Sequence, residues 1–370
     1  MRRIGPYLHQ KPDWPIFTWD QAGLADKLAA TRHRQGLLLG RMNGLGFALQ
    51  RTAALDGLAL EIVKSSEIEG EMLPADQVRS SVARRLGIDA AGLPSPERRV
   101  EGVVDMTLDA VGSYAEPLTV ERLFRWHASL FAADDGTLTT GAWRNDSKGP
   151  MRVVSGAMGR ERVHFEAPAA ARIAAEMRAF LAWENRPSNA DPVMRAALTH
   201  LWFVTIHPFE DGNGRLARAL ADRALARADG DARRFYSMSA QIRVERKAYY
   251  EVLEKTQRGP LDVTEWMSWF LDCLGRAFAA SEDSLAAVLR RGRFWQEHAG
   301  KSINPRQRLV LDRLFQGFVG KLTTTKWSTL ADCSQDTAHR DIVGLVELGM
   351  LVQDEGGGRS TSYSLPLTKP

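Results

Sequence analysis

One short stretch restricts this chain more than any other: His207-Pro-Phe-Glu-Asp-Gly-Asn-Gly214, set between two runs of helix-forming residues. Upstream, Asp191 to Ile206 has Pro192 in its first turn and apolar residues at helical spacing, which predicts a largely buried helix ended by His207-Pro208. Downstream, Arg215 to Ala226 is rich in Ala, Leu and Arg, all strong helix formers. The glycines therefore open a second helix. Free backbone N–H groups and the positive end of the helix dipole make such a turn an anion site, and Gly212 and Gly214 let a phosphate approach the backbone closely.

The polar side chains around the turn suit phosphate chemistry. His207 titrates near neutral pH and can take a proton from an attacking hydroxyl. Asp211 offers a hard carboxylate for Mg²⁺ on a nucleotide's phosphates, and Asn213 a polar contact to a phosphate. Arg215 and Arg218 supply fixed positive charge and, three apart on one helix, can face the same ligand.

The segment resembles the signature of the Fic family, His-x-Phe-x-Asp/Glu-Gly-Asn-Gly-Arg-x-x-Arg, and matches its eight fixed positions. The resemblance implies transfer of AMP from ATP to a Ser, Thr or Tyr hydroxyl of a protein. His207 would be the catalytic base, and Asp211 would hold Mg²⁺. Gly212, Asn213 and Gly214 would stabilise the anionic oxygens, Arg215 would meet the β-phosphate region and Arg218 the γ-phosphate. Phe209 would be the apolar anchor that seats the loop. Transfer of a different phosphate-linked group is an alternative within the same fold.

Ser65-Ser-Glu-Ile-Glu69-Gly70 closes a predicted helix that starts near Leu55. Ser65 and Glu69 share one helix face. Taken alone, Glu69 reads as a solvated carboxylate in a charged run with Glu67 and Glu71. The stretch also resembles the family's inhibitory motif, Ser/Thr-x-x-x-Glu-Gly/Asn, and this implies that Glu69 pairs with Arg218 and keeps the γ-phosphate away. In some relatives the same glutamate positions water for AMP removal.

Two β-like runs lie between Trp143 and Pro168, around Ser155-Gly-Ala-Met-Gly159, and predict a hairpin. An isolated hairpin is marginal alone, so it must pack on something. The resemblance makes it a flap on which a target segment adds as a strand and presents its hydroxyl. Lys247 to Gln257 predicts another helix, followed by a loop that recaps a helix with Asp262 or Thr264. The resemblance puts Tyr249 or Tyr250, and Gln257, near the adenine and ribose, whereas the spacing alone equally suits core packing.

Composition sets outer bounds. A chain of 370 residues, 44% hydrophobic and 25% charged, is of the ordinary soluble kind and long enough for two or three domains. No apolar run approaches a spanning helix, the first residues lack a signal peptide's apolar stretch, and a cytoplasmic protein is expected. Cys273 and Cys333 are too few for a disulfide framework and too far apart in sequence for a zinc pattern. A net charge of +4 makes no strong case for nucleic acid. Gly40-Arg-Met-Asn-Gly-Leu-Gly46 lacks the features of a phosphate loop and reads as close helix packing, and Gly300-Lys-Ser302 lacks the glycine a P-loop requires.

The expected fold is mainly α. Residues 1–96 form a helical N-terminal region that opens with an irregular arm from Pro6 to Pro15 and carries the inhibitory motif. Residues 97–291 form an all-helical Fic core with a β-hairpin flap. Residues 292–370 form a domain with predicted helices Asn304–Phe315, Thr329–Cys333 and Ser334–Leu348. Strand-like runs Met350–Asp354 and Thr361–Leu365 follow, flanking Gly356 to Ser360. This resembles a winged helix-turn-helix, with Gln335, Thr337, His339 and Arg340 on the reading helix and Arg359 on the wing. DNA binding is thus a second reading, opposed by Asp336, Asp341 and Glu347 on that helix, and partner docking is the other use of such a domain. Expected partners are ATP and a target protein hydroxyl. The oligomeric state is left open, a homodimer included, and no membrane is expected.

Overall fold

The computed structural model describes residues 7–90, 92–133, 136, 138–147, 149–156, 159–315, 320–354 and 361–366. It is mainly helical and divides into two units, residues 1–282 and 283–370. No helix among the described residues is long and apolar enough to cross a membrane.

In the first unit, α1 (Gln21–Asn43) and α2 (Phe47–Ile68) are followed by α3 (Ala75–Arg85), α4 (Arg98–Gly112) and α5 (Val120–Leu130). The predicted hairpin is formed by β1 (Arg152–Ser155) and β2 (Arg162–Glu166), antiparallel, with a bulge between Val153 and Val154. Ala157 and Met158 at its turn lie outside the described residues. Then come α6 (Ala170–Glu184), α7 (Pro192–Ile206), α8 (Asn213–Asp229), α9 (Met238–Val244), α10 (Arg246–Gln257) and the part of α11 (Thr264–Glu297) before residue 283, the rest of that helix belonging to the second unit.

α7 is the centre of the unit, with every residue from Ala196 to Ile206 buried. A helix apolar all round must be enclosed by others, and α6, α8 and the first turns of α11 do so. Phe180, Trp202, Phe203, Leu216, Leu220, Trp266 and Phe270 fill the space between them. Asp191 caps α7 by accepting from the Val193 N–H at 2.8 Å, and Asp262 accepts from the Thr264 N–H at 2.9 Å where α11 begins.

α2 packs on α9 and the segment before it through a glycine. A Cβ built on Gly57 would lie 2.3 Å from the Arg234 carbonyl oxygen, so only glycine allows this approach. Close packing is absent at Gly40 and Gly46, contrary to expectation. A Cβ there would meet nothing within 4 Å, and the Gly-rich stretch is the end of α1 and its turn into α2.

The second unit holds α12 (Pro305–Phe315), α13 (Thr324–Leu330), α14 (Gln335–Glu347), β3 (Val352–Gln353) and β4 (Tyr363–Ser364) around a core of Phe294, Val310, Leu311, Trp327, Ile342, Leu345 and Met350. α14 is capped by Ser334, which accepts from the Thr337 N–H at 3.2 Å. α13 starts earlier than Thr329, the expected point, because Thr323 caps it through the Lys326 N–H and Trp327 anchors it in the core. Residues 331–333 form a turn, with Asp332 at φ 45°. The strands are shorter than expected, and Gly356 to Ser360, with Arg359, lie outside the described residues.

Gly57→Ala is expected to destabilise the first unit by about 1–3 kcal/mol, the usual cost of overpacking. A chemical-denaturation midpoint equal to the parent's would contradict the close approach of α2 to Arg234.

Candidate active site

His207 ends α7 in the left-handed region, at φ 52°, where a residue with a Cβ rarely sits. Arg144 over-determines this conformation. Its side chain is fully buried, its Nε donates to the His207 carbonyl at 2.8 Å, its Nη2 donates to the Pro168 carbonyl, and its backbone N–H donates to Pro208 at 3.0 Å. The ring Nδ1 of His207 lies 3.2 Å from the Val204 carbonyl oxygen. A carbonyl only accepts, so Nδ1 carries the proton and Nε2 keeps its lone pair. Burial, partly opposed by that hydrogen bond, lowers the pKa of His207 to about 4. The imidazole is therefore neutral at physiological pH, with Nε2 unprotonated.

The loop after His207 is pinned from beneath. Phe209 is fully buried among Phe124, Trp143 and Phe203 and stacks on His127, ring centroids 4.0 Å apart. His127 Nδ1 accepts from the Gly141 N–H at 3.0 Å, so Nε2 holds the proton and donates to the Asp211 carbonyl at 3.2 Å. Burial lowers the pKa of His127 to about 4, which keeps this arrangement neutral.

Asn213 differs from its expected task. Its buried side chain accepts from the Phe209 N–H at 3.0 Å and donates to the Phe209 carbonyl at 2.8 Å, closing the loop on itself. Both ends of the amide meet the Phe209 backbone, so the side chain braces the loop.

α8 opens with Gly212 at φ 78° and no capping side chain. A first turn left uncapped by any side chain attracts an anion. The chain's own carboxylate comes close: a Cβ built on Gly214 would lie 2.1 Å from Glu69 Oε1, so Glu69 covers the first turn of α8. Arg218 holds it there. From a buried position its Nη1 donates to Glu69 Oε1 at 2.8 Å, its Nε to Ser65 Oγ at 2.9 Å and its Nη2 to the Ser65 carbonyl at 2.8 Å. Burial pushes the Glu69 carboxyl upward, but the charge and hydrogen bond of Arg218 outweigh it and hold the group below the usual carboxylate range.

A second carboxylate sits beside the first, and the sequence reading passed over it. Glu71 Oε2 pairs with Arg215 Nη1 at 2.5 Å, and the Arg215 guanidinium lies 5.0 Å from the centroid of the Phe131 ring. Gly70, at φ 86°, turns the chain back at the end of α2: its N–H donates to Glu67, and the Glu71 N–H donates to Ser66. This helix-ending turn sets Glu69 and Glu71 over Arg218 and Arg215 together. Both arginines do face one place, and acids of the chain occupy it.

The remaining expected residues divide. The Asp211 carboxylate is exposed and accepts from the Gly212 N–H at 2.6 Å. Tyr249 and Gln257 are interior. The Tyr249 hydroxyl meets His200 Nε2 at 3.0 Å, its ring packs on Trp269, and Gln257 donates to Thr205 at 3.3 Å. Tyr249 therefore takes the core reading, and Tyr250, exposed and stacked under Arg246, is the ring open to a ligand. The hairpin packs on α10 through Arg258, which donates to the carbonyls of Val163 and His164. A cleft of about 560 Å³ beside it is lined by Asn145, Met151, Arg152, Val154, Val163 and Glu210, the last from the motif loop. The N-terminal arm supports the hairpin's far end: Tyr7 packs edge-on against Phe165 at 5.1 Å, and His9 Nε2 lies 2.8 Å from the Glu166 carbonyl.

Residues 117–225 match the family model of the Fic/DOC family, and residues 7–88 match a domain of unknown function, DUF4172. Among curated proteins, a protein adenylyltransferase Fic from Nematostella vectensis is 34% identical over 115 residues, covering 30% of this chain and 25% of that protein. One of the same name from Drosophila melanogaster is 25% identical over 231 residues, 60% of this chain and 42% of the relative. The matches thus span less than half of either relative. A Fic family protein from Desulfovibrio desulfuricans has the same fold over 96% of this chain and 99% of its own, with a TM-score of 0.54 at 21% identity. A Fic domain-containing signalling protein from Bacteroides thetaiotaomicron aligns over 70% of this chain and 97% of its own, with a TM-score of 0.51 at 19% identity.

Three histidines at or beneath the site share a titration behaviour. Burial lowers His127 and His207 to about 4 and His200 to about 3. A folded pKa below the unfolded value of about 6.5 favours folding above pH 6.5, and this stability is lost as pH falls from there toward 4. The melting temperature is expected to drop across that window, less steeply in His200→Gln. Equal slopes in the two proteins would remove His200 from the cause.

Proposed function

We propose that this chain, whose residues 117–225 form a Fic/DOC family domain, transfers AMP from ATP to Ser, Thr or Tyr hydroxyls of proteins. Neutral His207, with its lone pair on Nε2 beside the uncapped start of α8, supports this most directly. His207 takes the hydroxyl proton. The freed oxygen attacks the α-phosphorus, and its bond to phosphorus forms as the bond to the departing pyrophosphate breaks. The first N–H groups of α8, with Arg215 and Arg218, neutralise the phosphate oxygens. The name shared by the curated relatives favours AMP over other phosphate-linked groups.

Asp211 would hold Mg²⁺, which when bound supplies further neutralisation of the phosphates. A single exposed carboxylate fits this ion, since Mg²⁺ keeps several waters and takes its other ligands from substrate phosphates. Among the described residues no group of three or more His, Cys, Asp or Glu is assembled into a cage. Glu69, seated by Ser65 and Arg218, acts as a brake by holding the arginine that the γ-phosphate requires. Glu71 does the same to Arg215. The hairpin, with β1 paired on one side only among the described residues, receives the target as an added strand.

We divide the chain into an N-terminal region carrying the brake (1–96), the catalytic core (97–291) and a winged helix-turn-helix (292–370). The last docks a protein partner. Its exposed Gln335, His339 and Arg340 lie among Asp336 and Glu347, a poor charge balance for DNA, although Asp341 turns inward to Arg306 and Asn304.

In intact mass spectra after incubation with Mg²⁺ and ATP, Glu69→Gly is expected to carry or transfer at least about tenfold more AMP than the parent, as release of a brake worth ~1.4 kcal/mol or more would give. His207→Ala in that background should lose about 10²-fold or more. Transfer unchanged in a folded Glu69→Gly protein would end the brake assignment. Adding Glu71→Gln to Glu69→Gly should tighten binding of inorganic triphosphate in calorimetry, and equal affinities would leave Glu71 without a part in the brake.

A further inference from the structure

α2 and α8 run in opposite directions, and their facing residues make rungs spaced one helical turn apart. Glu69 lies against Gly214, Ser65 bonds to Arg218, and Glu61 meets Asp222. The first two rungs belong to the site already described. The third lies a turn deeper, and it joins two acids.

Glu61 and Asp222 are each only 4% exposed, so neither is solvated from outside. Glu61 Oε2 accepts from the Ser237 hydroxyl at 2.7 Å and from the Ser239 N–H at 2.9 Å, and among the described residues Glu61 forms no ion pair. Asp222 Oδ1 accepts from Arg234 Nη2 at 3.1 Å. That guanidinium is already matched by Asp229, which also accepts from the Tyr236 hydroxyl at 3.0 Å. Arg215, the cation on the other side of the pair, is matched by Glu71. α4 brings Val103, Met106 and Thr107 to the same place, none of them charged. Glu61, Asp222, Asp229 and Glu71 thus share two arginines. A cavity of about 10 Å³, lined by Glu61, Ser65, Arg215 and Asp222, has room for about one water. Two carboxylates in contact and out of bulk water do not both ionise. Burial and the charge of Glu61 hold a proton on Asp222 well above the usual carboxylate range, with Arg234 opposing them.

We propose that Glu61 and Asp222 share one proton, and that this hydrogen bond positions α2 on α8 so that Glu69 and Glu71 stay on their arginines. This rests on the brake reading above. Both acids are positioning residues, since Asp222 lies nine residues, about 14 Å, along α8 from the anion site at its start. With the proton shared, the rung draws the two helices together; without it, the same groups repel. Whatever parts α2 from α8 at this rung releases the brake without reaching Glu69.

Infrared difference spectra of the full chain at neutral pH test the proton. The carbonyl stretch of a protonated carboxyl group is expected in the parent, shifted in D₂O, and lost in both Asp222→Asn and Glu61→Gln. A band that neither variant removes, or no band in the parent, would overturn the shared proton. Calorimetry with inorganic triphosphate tests the joint. Asp222→Asn offers Glu61 an amide hydrogen and should bind as the parent does, whereas Asp222→Ala should bind about fivefold tighter or more, as the loss of one buried hydrogen bond would give. Asp222→Leu, closer in shape, takes its place if the alanine variant does not fold. In the Glu69→Gly/Glu71→Gln protein, removing the Asp222 carboxyl should change nothing. Unchanged affinity in the folded variant, or an equal gain in the protein already lacking the brake, would overturn the positioning role. Triphosphate is bound here and not consumed, so a chain that behaves as expected but transfers no AMP would lose the transfer reading alone.

Discussion

The start of α8 requires negative charge, and much of the first unit is arranged around that requirement. An uncapped helix N-terminus lies beside two buried or nearly buried arginines. A guanidinium stripped of water needs a partner, since an uncompensated buried charge costs several kcal/mol. The end of α2 supplies one carboxylate to each arginine, and the Ser65 hydroxyl and carbonyl take what remains of Arg218. Any other anion at this place must displace a carboxylate that is already bonded. The docking of α2 and the electrostatics of the motif loop are therefore one problem with one solution.

Much of this was legible in the sequence because it is local. The helix–loop–helix around His207, the hairpin, the helix that closes with Ser65 and Glu69, and the capped α14 all announce themselves through spacing, glycine placement and capping residues within a few positions. Tyr249 and Tyr250 were not separable, since adjacent residues on a helix point some 100° apart and only the packing of α7 and α11 tells which one is inside. Asn213 misled for a related reason: its amide reads as a ligand group until the neighbouring backbone is seen to use both ends of it.

Arg144 and His127 show what sequence spacing cannot convey. Neither is near the motif in sequence, and each works through backbone carbonyls of the motif loop, to which any residue identity would be equally suited. Arg144 keeps His207 in its left-handed conformation, and His127, fixed in one tautomer by the Gly141 N–H, keeps Asp211 and Phe209 in line. Their only outward sign is burial of a polar side chain, a property of the finished fold. Glu71 was hidden differently: among neighbouring acids nothing marks it until Gly70 turns it toward Arg215.

The arm from Tyr7 to Thr18 reaches the hairpin and the start of α11 across most of the first unit: His9 and Glu166 are 157 positions apart, and the Thr18 and Val263 backbones bond at 2.8 Å. Closing a loop of that length in a bare chain costs about 4–5 kcal/mol of entropy, more than a few edge contacts return. The arm can therefore settle only on elements that are already in place. On this ground the arm is expected to join the fold after the elements it rests on, so that the stiffness it lends to the hairpin depends on a core already completed.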